Sequence, residues 1–295
     1  MAHIGFIGAS GLMGHGMAKN LLAKGHSLAL TVHRNHERVA DLLAAGATQA
    51  DTAAALAAGS EIVFLCVTGS PQVEAAVAGL LAGAKAGLVI VDCSTSEPDS
   101  TARLREACAA AGVTLVDAPL GRSPVEAEAG RLNVMVGAEP AVFAQLEPVL
   151  RCFGENVFHV GGPGAGHTLK LINNFIGQAI CAATAEAFAV GQRAGLDLHK
   201  LVEIVGAGPV NSGLFQAMAK TLHGDLAGLK FELDYARKDV RYYTHLAEGL
   251  AIPSVMGEAV HQSLTLASAL GHGRKFVPSL VEAQEQLSGA HIIPR

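Results

Sequence analysis

Residues Gly5–Gly14 read GFIGASGLMG, a glycine-rich turn set between the apolar run His3–Gly8 and a helical pattern that opens at Leu12. Strand, tight turn and helix in that order leave few architectures open. Such a turn lets a pyrophosphate approach bare backbone N–H groups at the positive end of a helix, as a dinucleotide requires. Plain strand–helix turns use glycines too, so the motif gains weight from its context, above all a second strand pattern at Leu28–Val32. The glycines are Gly8, Gly11 and Gly14, one residue longer than G-x-G-x-x-G between the first two. Either Ala9 stands in for the first glycine or the loop carries an extra residue, and Ser10 then adds a hydroxyl to the phosphate shell.

The same alternation continues through the first half. Further strand patterns are Ile62–Val67, Leu88–Asp92, Val113–Asp117, Leu132–Val136 and Val157–Val160, with helical stretches at Leu12–Ala23, Pro71–Leu81 and Pro98–Ala111 between strands. The runs are continuously apolar, as in strands buried on both faces, so the expectation is α/β with a doubly wound, mostly parallel sheet of Rossmann type. After Gly161-Gly162-Pro163-Gly164 the strand signal stops, and the rest reads as helices punctuated by Gly or Pro. Two domains are therefore expected: residues 1–164 for the nucleotide, and 165–295 as an all-α substrate and dimerisation domain.

Composition narrows the function classes. With 50% apolar and 16% charged residues in 295, the chain is neither disordered nor fibrous. A mean hydropathy of +0.36 raises the question of a membrane. The best apolar span, Phe175–Gly191, is interrupted by Gln178, Thr184 and Glu186, so no transmembrane helix is expected. The N-terminus has no signal-peptide layout. A net charge of −5 offers no field for nucleic acid. Five scattered cysteines without a C-x-x-C pair read as reduced core thiols of a cytoplasmic protein. The 13 histidines form no metal-ligand pattern, and no metal is expected.

Three further sites carry chemistry. NAD sites place Asp or Glu at the end of the second strand for the ribose 2′-OH. Here Thr31, Val32, His33, Arg34, Asn35 and His36 bring no carboxylate before Glu37, whereas Arg34, with help from Arg38, suits a 2′-phosphate. NADP is expected, with NAD still possible, and a solvated basic loop is the bland reading. The cofactor set is Gly8, Ala9, Ser10, Gly11, Leu12, Met13 and Gly14, then His33, Arg34 and Asn35, with Val67 and Thr68 at the end of the third run. Past the boundary, Lys170 and Asn174 stand four apart and share a helix face. That lysine is either a snorkelling surface residue or part of a functional face. In FELDYARKD, Lys238 reads alone as one charge on an amphipathic helix.

Together these segments resemble the β-hydroxyacid dehydrogenases. The resemblance runs through GFIGASGLMGHGMAKNLLAKG at Gly5–Gly25, DCSTSEP at Asp92–Pro98, DAPLGRSPVEAEAG at Asp117–Gly130, GPGAGHTLKLINN at Gly162–Asn174 and FELDYARKD at Phe231–Asp239. It implies that Lys170 is catalytic and that Asn174 orients the substrate or the lysine. It also implies that Ser94 lies beside the substrate, Thr95 beside the nicotinamide ribose, and Lys238 at the cofactor with Asp239 fixing it. Ser94 or Thr95, followed by Glu97 and Pro98, is equally a good helix N-terminus. Tyr235 departs from the leucine usual at its place.

A second departure concerns the substrate. Where most members carry Ser-Gly-Gly, this chain has Gly121-Arg122-Ser123, similar to the loop of sulfolactaldehyde reductases. Arg122 would grip a sulfonate, or equally a carboxylate, or be a plain surface arginine. The expected function is hydride transfer between NADP and a short 3-hydroxy acid or acidic semialdehyde. The alternatives are a sulfolactaldehyde reductase-like enzyme, an imine reductase, which Lys170 speaks against, and a non-catalytic NADP-binding sensor or scaffold. The Thr168–Arg193 segment is apolar around most of its circumference, which with the resemblance implies a homodimer or homotetramer.

Overall fold

A computed structural model describes residues 1–33 and 35–294. The chain divides into two compact units, Met1–Lys170 and Leu171–Arg295. The first unit carries one sheet built from β1 (His3–Ile7), β2 (Ser27–Thr31), β3 (Thr48–Gln49), β4 (Ile62–Leu65), β5 (Val89–Asp92), β6 (Thr114–Asp117), β7 (Leu120–Gly121), β8 (Leu132–Gly137) and β9 (Gly154–Gly161). Its order is β3-β2-β1-β4-β5-β6-β8-β7, with β9 on the other side of β8. Strands β1 to β6 are parallel, β8 runs against β6 and β7, and β9 is parallel to β8. The chain leaves β1 for β2 on one side and returns for β4 on the other. That reversal opens a crevice beyond the carboxyl ends of β1 and β4, the place where open α/β sheets bind ligands.

The sheet is buried on both faces. Along β4, Phe64 packs into one layer with Phe6, Leu30 and Val91, and Val63 and Leu65 pack into the other with Ile90 and Leu115. Phe64 lies between Phe6 and Phe153, at ring-centroid distances of 6.1 and 5.5 Å. Helices α1 (Leu12–Ala23), α2 (Ala40–Ala44), α3 (Ala53–Ala58), α4 (Ser70–Leu81), α5 (Pro98–Ala110), α6 (Pro124–Glu128) and α7 (Pro140–Leu150) supply the layers. The α/β expectation holds, with one adjustment: β8 and the short β7 add an antiparallel part at one side.

Helix α8 (Ala165–Arg193), 29 residues long, begins in the first unit and ends in the second. The second unit goes on with α9 (Leu198–Gly206), α10 (Gly213–Ala219), α11 (Leu233–Gly249), α12 (Val255–Ala267) and α13 (Leu280–Ser288). Its core gathers Phe188, Phe215, Met218, Leu233, Val240, Leu264 and Val281. Among the described residues no helix is long and apolar enough to cross a membrane. All five cysteines are free, and burial pushes Cys181 up to about 12 and Cys108 to about 11, so neither offers a thiolate near neutral pH.

Candidate active site

The glycine turn is shaped by contacts that exclude a side chain. Gly8 has φ 99°, and a Cβ there would lie 2.1 Å from the Cys66 carbonyl oxygen; one on Gly14 would lie 2.2 Å from the Gly8 oxygen. Gly8 thus makes the turn and Gly14 packs α1 against it, so the extra residue lies between Gly8 and Gly11, and Ala9 is a buried core residue. Gly11 is the N-cap of α1, with no side-chain cap and no acid in the first turn. Its missing Cβ would meet only the Gly8 oxygen, at 3.2 Å. The first-turn amides of Leu12 and Met13 have no intrahelical partner, and the ground before them admits an anion. The residues present therefore fit a dinucleotide pyrophosphate. Beyond β2, His33 and Asn35 are exposed, and the Arg38 guanidinium reaches the Ser10 carbonyl oxygen at 3.5 Å, tying the second loop to the first. Arg34 lies outside the described residues.

At the ends of β4 and β5 the serine hydroxyls are committed to local partners. Ser94 Oγ accepts from the Val67 amide at 3.0 Å, and the Ser94 amide donates to Asp92 at 2.8 Å. Ser96 Oγ donates to the other Asp92 oxygen at 2.8 Å. Neither Ser94 nor Thr95 starts a helix: α5 begins at Pro98 with Glu97 as N-cap. Val67 lies against this network and Thr68 is exposed beside it, with Thr95 half-buried.

Asp117, at the end of β6, builds the start of α8. Its carboxylate accepts from the Gly164 amide at 2.7 Å and from the His167 amide at 2.9 Å, two of the donors that a helix N-terminus leaves open. A Cβ on Gly137 or Gly166 would come within 2.8 Å of that carboxylate, so both glycines make room for it. His167 is buried, with Nδ1 2.7 Å from Thr101 Oγ1 and Nε2 3.5 Å from Asp92. One turn further, the Lys170 amine donates to the Leu120 carbonyl oxygen at 2.6 Å. That bond sets the amine beside the Gly121-Arg122-Ser123 loop.

Within the loop, Arg122 has φ 76°, a left-handed conformation that costs a non-glycine residue about 1 kcal/mol or more. Its Nη1 donates to the Arg131 carbonyl oxygen and to Glu155. Ser123 is the N-cap of α6 in a capping box with Glu126, and the bond from its hydroxyl holds the Glu126 carboxyl below the usual range.

In the second unit, Asn174 Nδ2 donates to Asp239 at 2.6 Å, and Lys238 pairs with the other Asp239 oxygen at 2.8 Å. The Lys238 amine also lies 4.8 Å from the centre of the Tyr242 ring. Gln178 continues the helix face of Lys170 and Asn174, and its buried Oε1 has no hydrogen-bond partner among the described residues. Sequence reading passed over Asp117, Asp92, His167, Glu155 and Gln178. For Gln178 the i+4 spacing from Asn174 was an available signal, and for Asp92 the nearby Ser94 and Ser96, whereas Asp117, His167 and Glu155 act through contacts distant in sequence. Among the described residues no three His, Cys, Asp or Glu side chains gather as a metal set.

Comparison with known proteins agrees with this frame. A family model described as the NAD binding domain of 6-phosphogluconate dehydrogenase matches residues 3–161. A second, described as NAD-binding of NADP-dependent 3-hydroxyisobutyrate dehydrogenase, matches residues 164–282. The 2-(hydroxymethyl)glutarate dehydrogenase of Eubacterium barkeri is 34% identical over 98% of this chain and 97% of its own. The 3-sulfolactaldehyde reductase of Escherichia coli (strain K12) is 31% identical over 96% of this chain and 95% of its own. A crystal structure of 3-hydroxyisobutyrate dehydrogenase from Salmonella typhimurium matches with a TM-score of 0.83 at 29% identity, covering 96% of this chain and 99% of that one. Two matched family models spanning most of the chain, with relatives 34% and 31% identical over nearly its whole length, lead to one assignment: the chain belongs to the β-hydroxyacid dehydrogenases, NAD(P)-dependent oxidoreductases acting on the CH–OH group of hydroxy acids.

Proposed function

We propose that the chain interconverts a short 3-hydroxy acid and its acidic semialdehyde with NADP, and that Lys170 moves the proton. The observation that carries this reading is the 2.6 Å bond from the Lys170 amine to Leu120, one residue before the Gly121-Arg122-Ser123 loop. With its pyrophosphate held at the glycine turn, the dinucleotide would supply or accept the hydride, through its nicotinamide, at the carbon that carries the oxygen. In reduction the carbonyl carbon gains that hydride, and Lys170 gives its proton to the oxygen as alkoxide charge develops; in oxidation it takes the proton back. Arg122 binds the acid group. Ser123, whose hydroxyl caps α6, serves by fixing the loop, with Gly121 leaving its backbone accessible. Asn174, held by Asp239, orients the hydroxyl, and Ser94 bounds the substrate.

The cofactor residues of the proposal are Gly8–Gly14, His33, Arg34, Asn35, Val67, Thr68, Thr95 and Lys238. The preference for NADP rests on the missing carboxylate after β2 and on Arg38 lying against the glycine turn. The domain roles follow: residues 1–164 serve the nucleotide, and 165–295 serve the substrate and assembly. Exposed Leu169, Ile172 and Ile176 on α8 support a homo-oligomer, and the free thiols a cytoplasmic setting.

The test is Lys170→Ala. Turnover is expected to fall about 10²- to 10⁴-fold while NADPH binding stays within a few-fold. Unchanged turnover overturns the reading. An NADPH-against-NADH screen over succinic, methylmalonate and tartronate semialdehydes, glyoxylate and sulfolactaldehyde then sets the substrate. The Gly-Arg-Ser loop favours a second reading, sulfonate recognition, and the last compound tests it.

A further inference from the structure

Glu155 occupies an irregular place in the sheet. Leu132 pairs with Gly154 and Asn133 with Asn156, so Glu155 is the extra residue of a bulge in β9. Bulges are uncommon between parallel strands, and where they occur they re-aim a side chain. Directly across β8, Gly121 of β7 pairs with the same Asn133, and the next residue is Arg122. The bulge thus turns the Glu155 carboxylate over β8 to meet the Arg122 guanidinium.

Both contacts of that guanidinium fall on one nitrogen. Nη1 donates to Glu155 and to the Arg131 carbonyl oxygen, and among the described residues neither Nε nor Nη2 has a hydrogen-bond partner. A guanidinium offers carboxylates and sulfonates more than one two-donor edge. Anchoring it by Nη1 alone leaves the Nε–Nη2 edge for an incoming anion and removes the rotation about the side-chain torsions that would otherwise be lost on binding. The left-handed backbone at Arg122 launches the side chain in this direction, a strained conformation kept at the acid-binding loop.

We propose that Glu155 is a positioning residue that holds Arg122 by Nη1 so that its Nε–Nη2 edge receives the substrate's acid group. The inference rests on the reading of Arg122 as the anion-binding residue. It makes Glu155 a determinant of acid specificity, although its own charge has the same sign as the substrate's.

The experiment compares steady-state kinetics for the acidic semialdehyde with the highest kcat/KM in the screen above and for butanal, a neutral aldehyde. Glu155→Ala is expected to raise KM for the acidic substrate about five- to twentyfold, with kcat within about twofold and butanal unaffected. Glu155→Gln keeps an acceptor oxygen without the charge and is expected to restore KM to within about twofold of the parent. In an Arg122→Ala background, Glu155→Ala is expected to add nothing. A fall in KM in Glu155→Ala shows that the carboxylate competes with substrate and overturns the proposal. So does an unchanged KM, or a change shared by butanal and by the Arg122→Ala background, which marks a structural role alone. Failure of the underlying reading looks different: Arg122→Ala itself then leaves the KM of the acidic substrate unchanged.

Discussion

Two clusters of charged side chains brace the first unit, and they use opposite physics. Around Asp117, Asp92, His167 and Thr101 every side chain is buried. The other cluster lies at the rim: His15 Nδ1 is 2.6 Å from Glu128, its Nε2 3.0 Å from Asp41, and Lys19 pairs with Glu128 at 3.1 Å. The buried cluster fixes the start of α8 ahead of Lys170. The rim cluster fixes α6, which follows directly on the Gly121-Arg122-Ser123 loop, against α1. A buried charge stripped of its partner costs several kcal/mol because nothing replaces the lost bond. A rim pair exchanges its bonds with water and salt, so its worth is small and tunable. The lysine is held by a fixed support and the Gly121-Arg122-Ser123 loop by an adjustable one.

Removing the buried support is expected to have the largest effect. Asp117→Ala leaves the Gly164 and His167 amides and the cavity between Gly137 and Gly166 without the carboxylate. A loss of about 3–5 kcal/mol of stability is expected in denaturant unfolding, with turnover falling alongside because the start of α8 carries Lys170. A loss below about 1 kcal/mol would erase the contrast between the clusters.

An intermediate effect is expected where α1 meets α6 by backbone rather than by charge. A Cβ on Gly16 would lie 2.3 Å from the Ala127 carbonyl carbon, and Asn20 Nδ2 donates to the Ala127 and Glu128 oxygens at 3.1 and 3.3 Å. Gly16→Ala is therefore expected to cost about 1–3 kcal/mol in the same assay and to raise KM for acidic substrates as α6 shifts. Full stability with an unchanged KM would show that α6 does not set the loop.

The division between what the sequence revealed and what it hid follows from range. Strands β1, β4, β5 and β6 were legible because burial on both faces leaves an unbroken apolar run. The β7 strand was not, since its two residues carry no period, and β9 was read from Val157 although it begins at Gly154, because the bulge at Glu155 breaks the pattern. Lys170 and Asn174 were legible as an i,i+4 pair on one helix. Asp117 as the support of that helix was not, because its partners Gly137, Gly164 and His167 come from two segments, the end of β8 and the start of α8, both distant from it in sequence. Ser94 and Ser123 show the limit of local signals: both carry a helix-start pattern, but only Ser123 caps a helix, because the Ser94 hydroxyl is taken by the Val67 amide.

The smallest expected effect, and the one that varies with pH, belongs to His15. Burial pulls its pKa down, but the bonds to Glu128 and Asp41 outweigh this and hold it above its ordinary 6.5. For Glu128 burial pushes up, and the bonds from His15 and Lys19 outweigh it, leaving the carboxyl below its ordinary 4.5. The His15 bond also lowers Asp41 from 3.8. A raised histidine contributes stability that is complete below its unfolded pKa and lost as pH rises through the folded value; lowered carboxylates contribute stability lost as pH falls through theirs. The cluster is therefore strongest between the carboxylate range and about pH 6.5. Because Asp41 and Glu128 are substantially exposed, it is worth about 1 kcal/mol or less. His15→Gln is expected to lower Tm by a few degrees at about pH 5.5, with the difference shrinking towards about pH 9 and in high salt. A difference that is constant across that range, or that grows with pH, would place His15 with the buried cluster and remove the distinction between a fixed and an adjustable support.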